Sequence, residues 1–230
     1  MSNDIRSELR SFPSAGDVTT VTPVSAQRVL RNTYALLGLT LAFSALVAGV
    51  AMSLNLPHPG ILVTLVGFYG LFFLVNKTAN SGKGVLAVFA LTGFMGYTLG
   101  PTLNAVMSMP GGSATITNAL AATAAAFLGL SAIALTTKRD FSFMGKFLMI
   151  GMLVAVALGL GAIFFEVPAL SLAVSGMVVL LSCGLILFET SRIVNGGETN
   201  YVMATVGLFV TIYNLFSSLL MLFGLGGNDD

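Results

Sequence analysis

Residues 141–165 read FSFMGKFLMIGMLVAVALGLGAIFF, an uninterrupted apolar run whose one charge is Lys146. A buried strand ends after four to eight residues, and a helix on a water-soluble domain carries a polar stripe at the helical period. This run does neither. A helix needs about 20 apolar residues to cross a hydrocarbon core of about 30 Å, so the run is long enough to span a bilayer. Its flanks fit that reading. Lys138-Arg139-Asp140 precedes it and Glu166-Val167-Pro168 follows it.

Six further segments have the same character: Tyr34 to Leu56, Gly60 to Val75, Val85 to Met107, Ala114 to Leu135, Ala169 to Phe188 and Tyr201 to Phe223. The second is short and is expected to extend through Asn76 or to thin the bilayer locally. Turn formers separate the segments: Leu56-Pro57-His58-Pro59-Gly60, Asn80-Ser81-Gly82, Pro110-Gly111-Gly112, Val167-Pro168 and Asn195-Gly196-Gly197. The sequence therefore predicts an all-α, polytopic membrane bundle of seven transmembrane helices over residues 31–226. A disordered polar tail is expected over 1–30, and a short acidic end over 227–230. The tail is too poor in apolar residues to offset its ordering entropy. It does not read as a secretory signal, because the first apolar run starts only near Tyr34 and is too long.

Composition agrees. Charged residues make up 8% of the 230-residue chain, against about 25% in ordinary soluble domains. The net charge of +1 gives no electrostatic footprint for nucleic acid. A lone Cys183 excludes an intramolecular disulfide. With one His besides, no metal site or cofactor is expected.

The basic residues supply an orientation. Arg6, Arg10, Arg28 and Arg31 precede the first span. Lys77 and Lys83 lie between the second and third, Lys138, Arg139 and Lys146 at the start of the fifth, and Arg192 between the sixth and seventh. With seven spans all of them fall on one face, while His58, Glu166, Asp229 and Asp230 fall on the other. The positive-inside rule then predicts a cytoplasmic N-terminus and an outside C-terminus. A re-entrant last segment is the alternative, and it would return the C-terminus to the cytoplasm.

Small residues recur at helical spacing. Gly93, Gly96 and Gly100 lie on the third span and Ala121, Ala125 and Gly129 on the fourth. Both stripes predict close helix packing. Gly100-Pro101 predicts a kink or break, since Pro101 has no N–H for the carbonyl of Tyr97. Asn104, one turn on, is the candidate to satisfy that carbonyl. The same three residues, Gly100, Pro101 and Asn104, are the candidate elements of an ion or water path.

Few polar groups lie within the spans. Glu189 ends the run Leu185-Ile186-Leu187-Phe188, and a carboxylate at that depth is costly. Arg192 is three residues on, so an interfacial Glu189–Arg192 pair is one reading. A desolvated proton sensor or gate is the other. Asn214 on the seventh span is expected to seek an interhelical hydrogen bond. Glu166 is expected to be solvated, His58 to serve a turn, and Cys183 to pack as a small apolar group. No phosphate loop, HExxH or G-x-S-x-G occurs, and no Asp or His lies within a span, so an enzyme is not expected.

Several motifs, taken together and in order, resemble the Bax-inhibitor family of membrane proteins, and within it the bacterial YccA branch. They are Arg28-Val29-Leu30-Arg31-Asn32-Thr33-Tyr34, Lys77-Thr78-Ala79-Asn80, Gly96-Tyr97-Thr98-Leu99-Gly100-Pro101, Thr136-Thr137-Lys138-Arg139-Asp140-Phe141-Ser142-Phe143, Ile186-Leu187-Phe188-Glu189-Thr190-Ser191 and Gly196-Gly197-Glu198-Thr199-Asn200-Tyr201. The resemblance implies seven spans in the bacterial inner membrane, with the N-terminus inside. It implies a partner, the membrane-anchored ATP-dependent protease FtsH, whose action on membrane proteins this branch modulates. It also implies an alternative, a pH-sensitive calcium leak, in which an acid on helix six pairs with an acid on helix seven. Glu189 falls at the first position and Thr211 at the second, so the second carboxylate is missing here. A Glu facing a Thr lacks the coupling of two carboxylates that share a proton.

Overall fold

The computed structural model describes residues 23–137 and 139–225. Most of the expected tail, Lys138 and the acidic C-terminal end lie outside the described residues. Seven α-helices follow one another: α1 (Pro23–Ser53), α2 (Ile61–Thr78), α3 (Lys83–Met107), α4 (Gly112–Thr137), α5 (Gly145–Phe164), α6 (Pro168–Val194) and α7 (Tyr201–Leu225). A single 3₁₀ turn, Ser142–Met144, leads into α5. All seven helices are long and apolar enough to cross a membrane, and the described residues contain no strand. In hydrocarbon only a helix can satisfy the whole backbone within one segment, so these sequences have no other stable form.

The boundaries depart from the sequence expectation chiefly at α1. It begins at Pro23, so residues 23–30 belong to a helix, and it ends at Ser53, short of Leu56. Pro suits a first helical position because its missing N–H has no partner there anyway. The first three turns are held by packing: Ala26 and Thr33 are buried while Arg28 and Arg31 stay exposed. α2 runs on through Asn76 to Thr78, the first of the two outcomes expected of its short apolar run. His58 serves the α1–α2 turn, where its Nδ1 accepts the Gly60 N–H at 3.1 Å. α7 is one unbroken helix of 25 residues, about 37 Å long at 1.5 Å per residue. It has no break of the kind a re-entrant segment needs.

α7 stands at the centre. It packs against α1, α2, α3, α4 and α6, and α5 alone is out of its reach. Buried apolar residues run along its length, among them Val202, Val206, Leu208, Phe209, Leu215 and Leu220, while a stripe through Gly207, Val210 and Ser217 is half-buried. α5 packs only against α6 and the 3₁₀ turn, and α2 chiefly against α3. Their exposed Leu62, Val66, Phe147 and Phe164 face what a bilayer fills with lipid tails.

The two stripes of small residues behave differently. On α3 the stripe is the contact with α1: Gly93 lies under the Phe43 ring, Gly96 against the backbone carbonyl of Ser44, and Gly100 against Ala51 and the carbonyl of Ala48. On α4 the expected packing is absent. Ala121, Ala125 and Gly129 are exposed, and nothing approaches Gly129. The α4 residues turned inward are Ala119, Thr123, Ser131 and Ala134.

Of the kink or break expected at Pro101, the break does not occur. α3 continues through Pro101 to Met107. Nor does Asn104 serve the carbonyl of Tyr97. Its Nδ2 donates to Asn55 Oδ1 at 2.5 Å and Met52 O at 3.5 Å. Gly100 lets α1 come close, and Asn104 fastens the end of α1 that passes there. These two residues belong to the contact of α3 with α1 and the turn after it.

Candidate functional site

Five consecutive residues near the end of α6 reach five different parts of the molecule. The Phe188 ring lies against Gly145 at the start of α5. Glu189 turns to α7, where Thr211 Oγ1 donates to its carboxylate at 3.3 Å and Gly207 leaves room for it. Thr190 meets the Tyr34 hydroxyl of α1 at 3.4 Å. Ser191 Oγ donates to Arg139 O at 2.9 Å and accepts the Phe141 N–H at 3.1 Å, fixing the α4–α5 loop. Arg192 pairs with Glu198 of the α6–α7 loop at 3.3 Å, and its guanidinium lies 5.5 Å above the Phe188 ring. A helix presents successive side chains about 100° apart, so a helix end surrounded by neighbours can hold each with a different residue.

Three expectations meet this geometry. Glu189 and Thr211 do face each other, with a carboxylate on one side and a hydroxyl on the other. The Glu189–Arg192 pair is not formed: Arg192 is drawn to Glu198, which the tight Gly196-Gly197 turn brings back under the helix end. Gly196 takes φ 75°, a conformation glycine adopts without penalty, and Gly197 N–H donates to Arg192 O at 2.8 Å. Asn214 makes no interhelical hydrogen bond among the described residues. The polar ties of α7 to α3 and α1 run instead through Tyr213 to Thr98 at 3.0 Å and Thr205 to Thr33 O at 3.4 Å.

Asn200 is a second fastening. Its Oδ1 accepts from the N–H groups of Val202 and Met203 at 2.9 and 3.2 Å, capping α7. Its Nδ2 donates to Ala79 O at 3.1 Å and Asn80 Oδ1 at 2.8 Å in the α2–α3 turn. Ser191 and Asn200 lie in sequence motifs that by themselves assign them no role. An Asn directly before an apolar helix is a legible N-cap signal. The long-range half of its bonding is not legible.

These ties gather the α2–α3, α4–α5 and α6–α7 connections at one end of the bundle. Exposed Lys77, Lys83, Arg139 and Lys146 lie in or beside them, and Arg28 and Arg31 lie a turn or so from Tyr34. Of the inner-loop motif Lys138-Arg139-Asp140, Arg139 contributes its backbone carbonyl. Asp140 Oδ1 accepts the Ser142 N–H at 2.8 Å, and these local bonds with Ser142 hold its carboxyl below the usual carboxylate range. The connections at the other end, 54–60, 108–111 and 165–167, contain no Lys or Arg. Tyr97 fastens that end by donating to Pro57 O at 2.8 Å. The described residues hold no group of three or more His, Cys, Asp or Glu that suits a metal. The arrangement is a joint with one carboxylate at its centre.

Known proteins resemble this chain over nearly its whole length. The profile of the family described as "Inhibitor of apoptosis-promoting Bax1" matches residues 26–228. A protein of Escherichia coli strain K12 named "Modulator of FtsH protease YccA" is 50% identical over 220 residues, covering 96% of this chain and 99% of that protein. An Escherichia coli O6:H1 relative at the same identity and coverage is named "Inner membrane protein YccA". An uncharacterized protein of Pseudomonas aeruginosa is 54% identical over 202 residues, covering 88% of this chain and 91% of that protein.

Proposed function

Since the chain belongs to the Bax-inhibitor family of membrane proteins, we propose that it binds the membrane-anchored protease FtsH and restrains its processing of other membrane proteins. The observation that carries this reading is the 50% identity, end to end, with a relative named as a modulator of that protease. The inner membrane is the proposed location, by the name of the O6:H1 relative. The basic end is proposed to face the cytoplasm, where an excess of Lys and Arg is retained. Residues 1–22 would then lie on the same side as the protease's catalytic part and offer it a polar handle. Catalysis by this chain plays no part in the proposal.

Affinity capture from detergent-solubilised membranes tests it. FtsH is expected to copurify with the tagged chain and to be absent when an unrelated seven-span protein is the bait. Equal recovery with both baits, or none with either, would refute the reading.

A second reading, a calcium or other cation leak gated at Glu189, is favoured by one observation: a half-buried carboxylate inside a span, met there by a hydroxyl. Liposomes holding a calcium dye and carrying the purified protein are expected, on this reading, to lose flux on Glu189→Gln. Equal flux in both proteins would remove Glu189 from any leak.

A further inference from the structure

At the basic end of the bundle Glu198 neutralises Arg192. Arg28, Arg31, Lys77 and Lys83 are exposed there, and none of them has an acidic partner among the described residues. They belong to three neighbouring helices, since α3 packs against both α1 and α2. Their heights follow from the glycine contacts. Gly96 of α3 lies against the carbonyl of Ser44 on α1 and Gly100 against that of Ala48, an unchanged offset of 52 residues along a parallel pair. The same offset sets Lys83 level with Arg31. Gly84 lies against the carbonyl of Thr78, which sets Lys83 beside Lys77 at the end of α2. Arg31, Lys77 and Lys83 thus share one height, and Arg28 lies about one turn farther from the bundle centre.

α2 fixes where that height lies in a bilayer. Its 18 residues span about 27 Å, close to the hydrocarbon thickness of about 30 Å, so Lys77 in its last turn reaches the headgroups. Each of the three cations also ends a stripe of exposed residues at helical spacing. Ala35 and Leu39 follow Arg31, Phe73 precedes Lys77, and Leu86 follows Lys83. Positive charge above apolar surface matches a phosphate above acyl chains. The rest of the basic end is different. On the α4–α5 connection Asp140 stands between Arg139 and Lys146 in the chain, and its exposed carboxylate opposes an anion. Glu198 is engaged by Arg192 and by the Asn200 N–H.

We propose that the edge formed by α1, α3 and α2 at the basic end is a headgroup site for an anionic phospholipid. Arg31, Lys77 and Lys83 hold its phosphate, Arg28 adds charge beside them, and its acyl chains lie along Leu39, Phe73 and Leu86. A guanidinium grips two phosphate oxygens at once, and an ammonium adds a point charge. Each Lys or Arg near an anionic lipid surface raises affinity about fivefold. The site stands apart from the protease reading, and capture of FtsH neither supports nor weakens it.

The melting temperature of the full-length protein in detergent tests it, with phosphatidylglycerol as the probe. Zwitterionic phosphatidylcholine and soluble glycerol phosphate are the comparisons. Phosphatidylglycerol is expected to raise the melting temperature, and the other two to leave it unchanged. Arg31→Gln combined with Lys83→Gln is expected to move the midpoint of that titration to roughly tenfold or more higher lipid. Arg139→Gln combined with Lys146→Gln removes the same charge and is expected to leave the midpoint in place. Arg31→Lys combined with Lys83→Arg keeps both charges and is expected to keep the midpoint. Equal displacement by the two Gln pairs would reduce the effect to net charge and overturn the site. So would an equal rise with phosphatidylcholine, or none with phosphatidylglycerol. An equal rise with glycerol phosphate would make free phosphate the ligand and overturn the lipid assignment. Copurifying lipid phosphorus is a second readout that needs no melting. It is expected to fall in the Arg31 and Lys83 pair and not in the Arg139 and Lys146 pair, and equal content in the two would refute the site.

Discussion

Gly96→Ala is expected to lower the melting temperature of the solubilised protein, while Gly129→Ala, the same chemical change on the next helix, leaves it unchanged or raises it. Replacing Gly by Ala inside a helix gains about 1 kcal/mol when nothing opposes it. At Gly129 nothing does, because no atom lies within 4 Å of the added methyl. At Gly96 the methyl meets the backbone carbonyl of Ser44 on α1, and its Oγ at 2.9 Å. A backbone cannot rotate aside as a side chain does, so α1 must move. Overpacking of this kind costs about 1–3 kcal/mol and outweighs the gain in helix propensity. α1 and α3 approach just as closely at Gly100, where an added methyl stands 2.5 Å from that of Ala51. Displacement at one level therefore opens the other. Gly96→Leu, which drives further carbons into the same carbonyl, is expected to prevent the folded bundle from accumulating. If Gly96→Ala and Gly129→Ala shift the melting temperature in the same direction by similar amounts, the close approach of α1 to α3 is wrong.

The second large effect is expected at Asn200. Asn200→Ala removes the N-cap of α7, worth about 0.5–2 kcal/mol, and two donated bonds to the α2–α3 turn, worth about 1 kcal/mol each. The joint lies where the helices emerge toward water, so aqueous magnitudes apply. A loss of about 2–4 kcal/mol is expected. Asn200→Asp separates the two parts. It keeps an oxygen for the Val202 and Met203 N–H groups and loses the donor to Ala79 and Asn80. Its loss is expected to be about half as large. Amide hydrogen exchange gives the local readout. Val202 and Met203 should lose protection in Asn200→Ala and keep it in Asn200→Asp. Full protection of both amides in Asn200→Ala would rule out the cap.

Both sites show where reading a sequence stops. Gly96 and Gly129 look equivalent as letters, each a small residue in an apolar run at four-residue spacing. Only one of them faces another helix. Glu189 and Arg192 have the spacing of a helical ion pair, yet Glu198 takes the guanidinium because a glycine turn folds it back. Asn104 lies one turn beyond Pro101 and is used elsewhere, because the end of α1 passes beside it. For Arg192 and Asn104 a short-range rule named a partner on the same helix, and a group brought in by the next loop or by the end of α1 took its place.

The sequence by itself determined that this chain is a seven-helix membrane protein. Long apolar runs, turn-forming breaks and the grouping of Lys and Arg are properties of the chain read in order, and backbone hydrogen bonding in hydrocarbon leaves such runs one structure. The facing of Glu189 and Thr211 was also legible, through the resemblance of the motifs around them. Only the tertiary structure decided that α7 is the central helix, that α4 turns its small residues outward, and that one turn of α6 fastens five parts of the molecule. Those facts depend on which helix stands beside which. In a bilayer, lipid tails are as apolar as the helices, so hydropathy does not rank one apolar face above another, and the choice falls to shape and to a few hydrogen bonds between residues far apart in the chain.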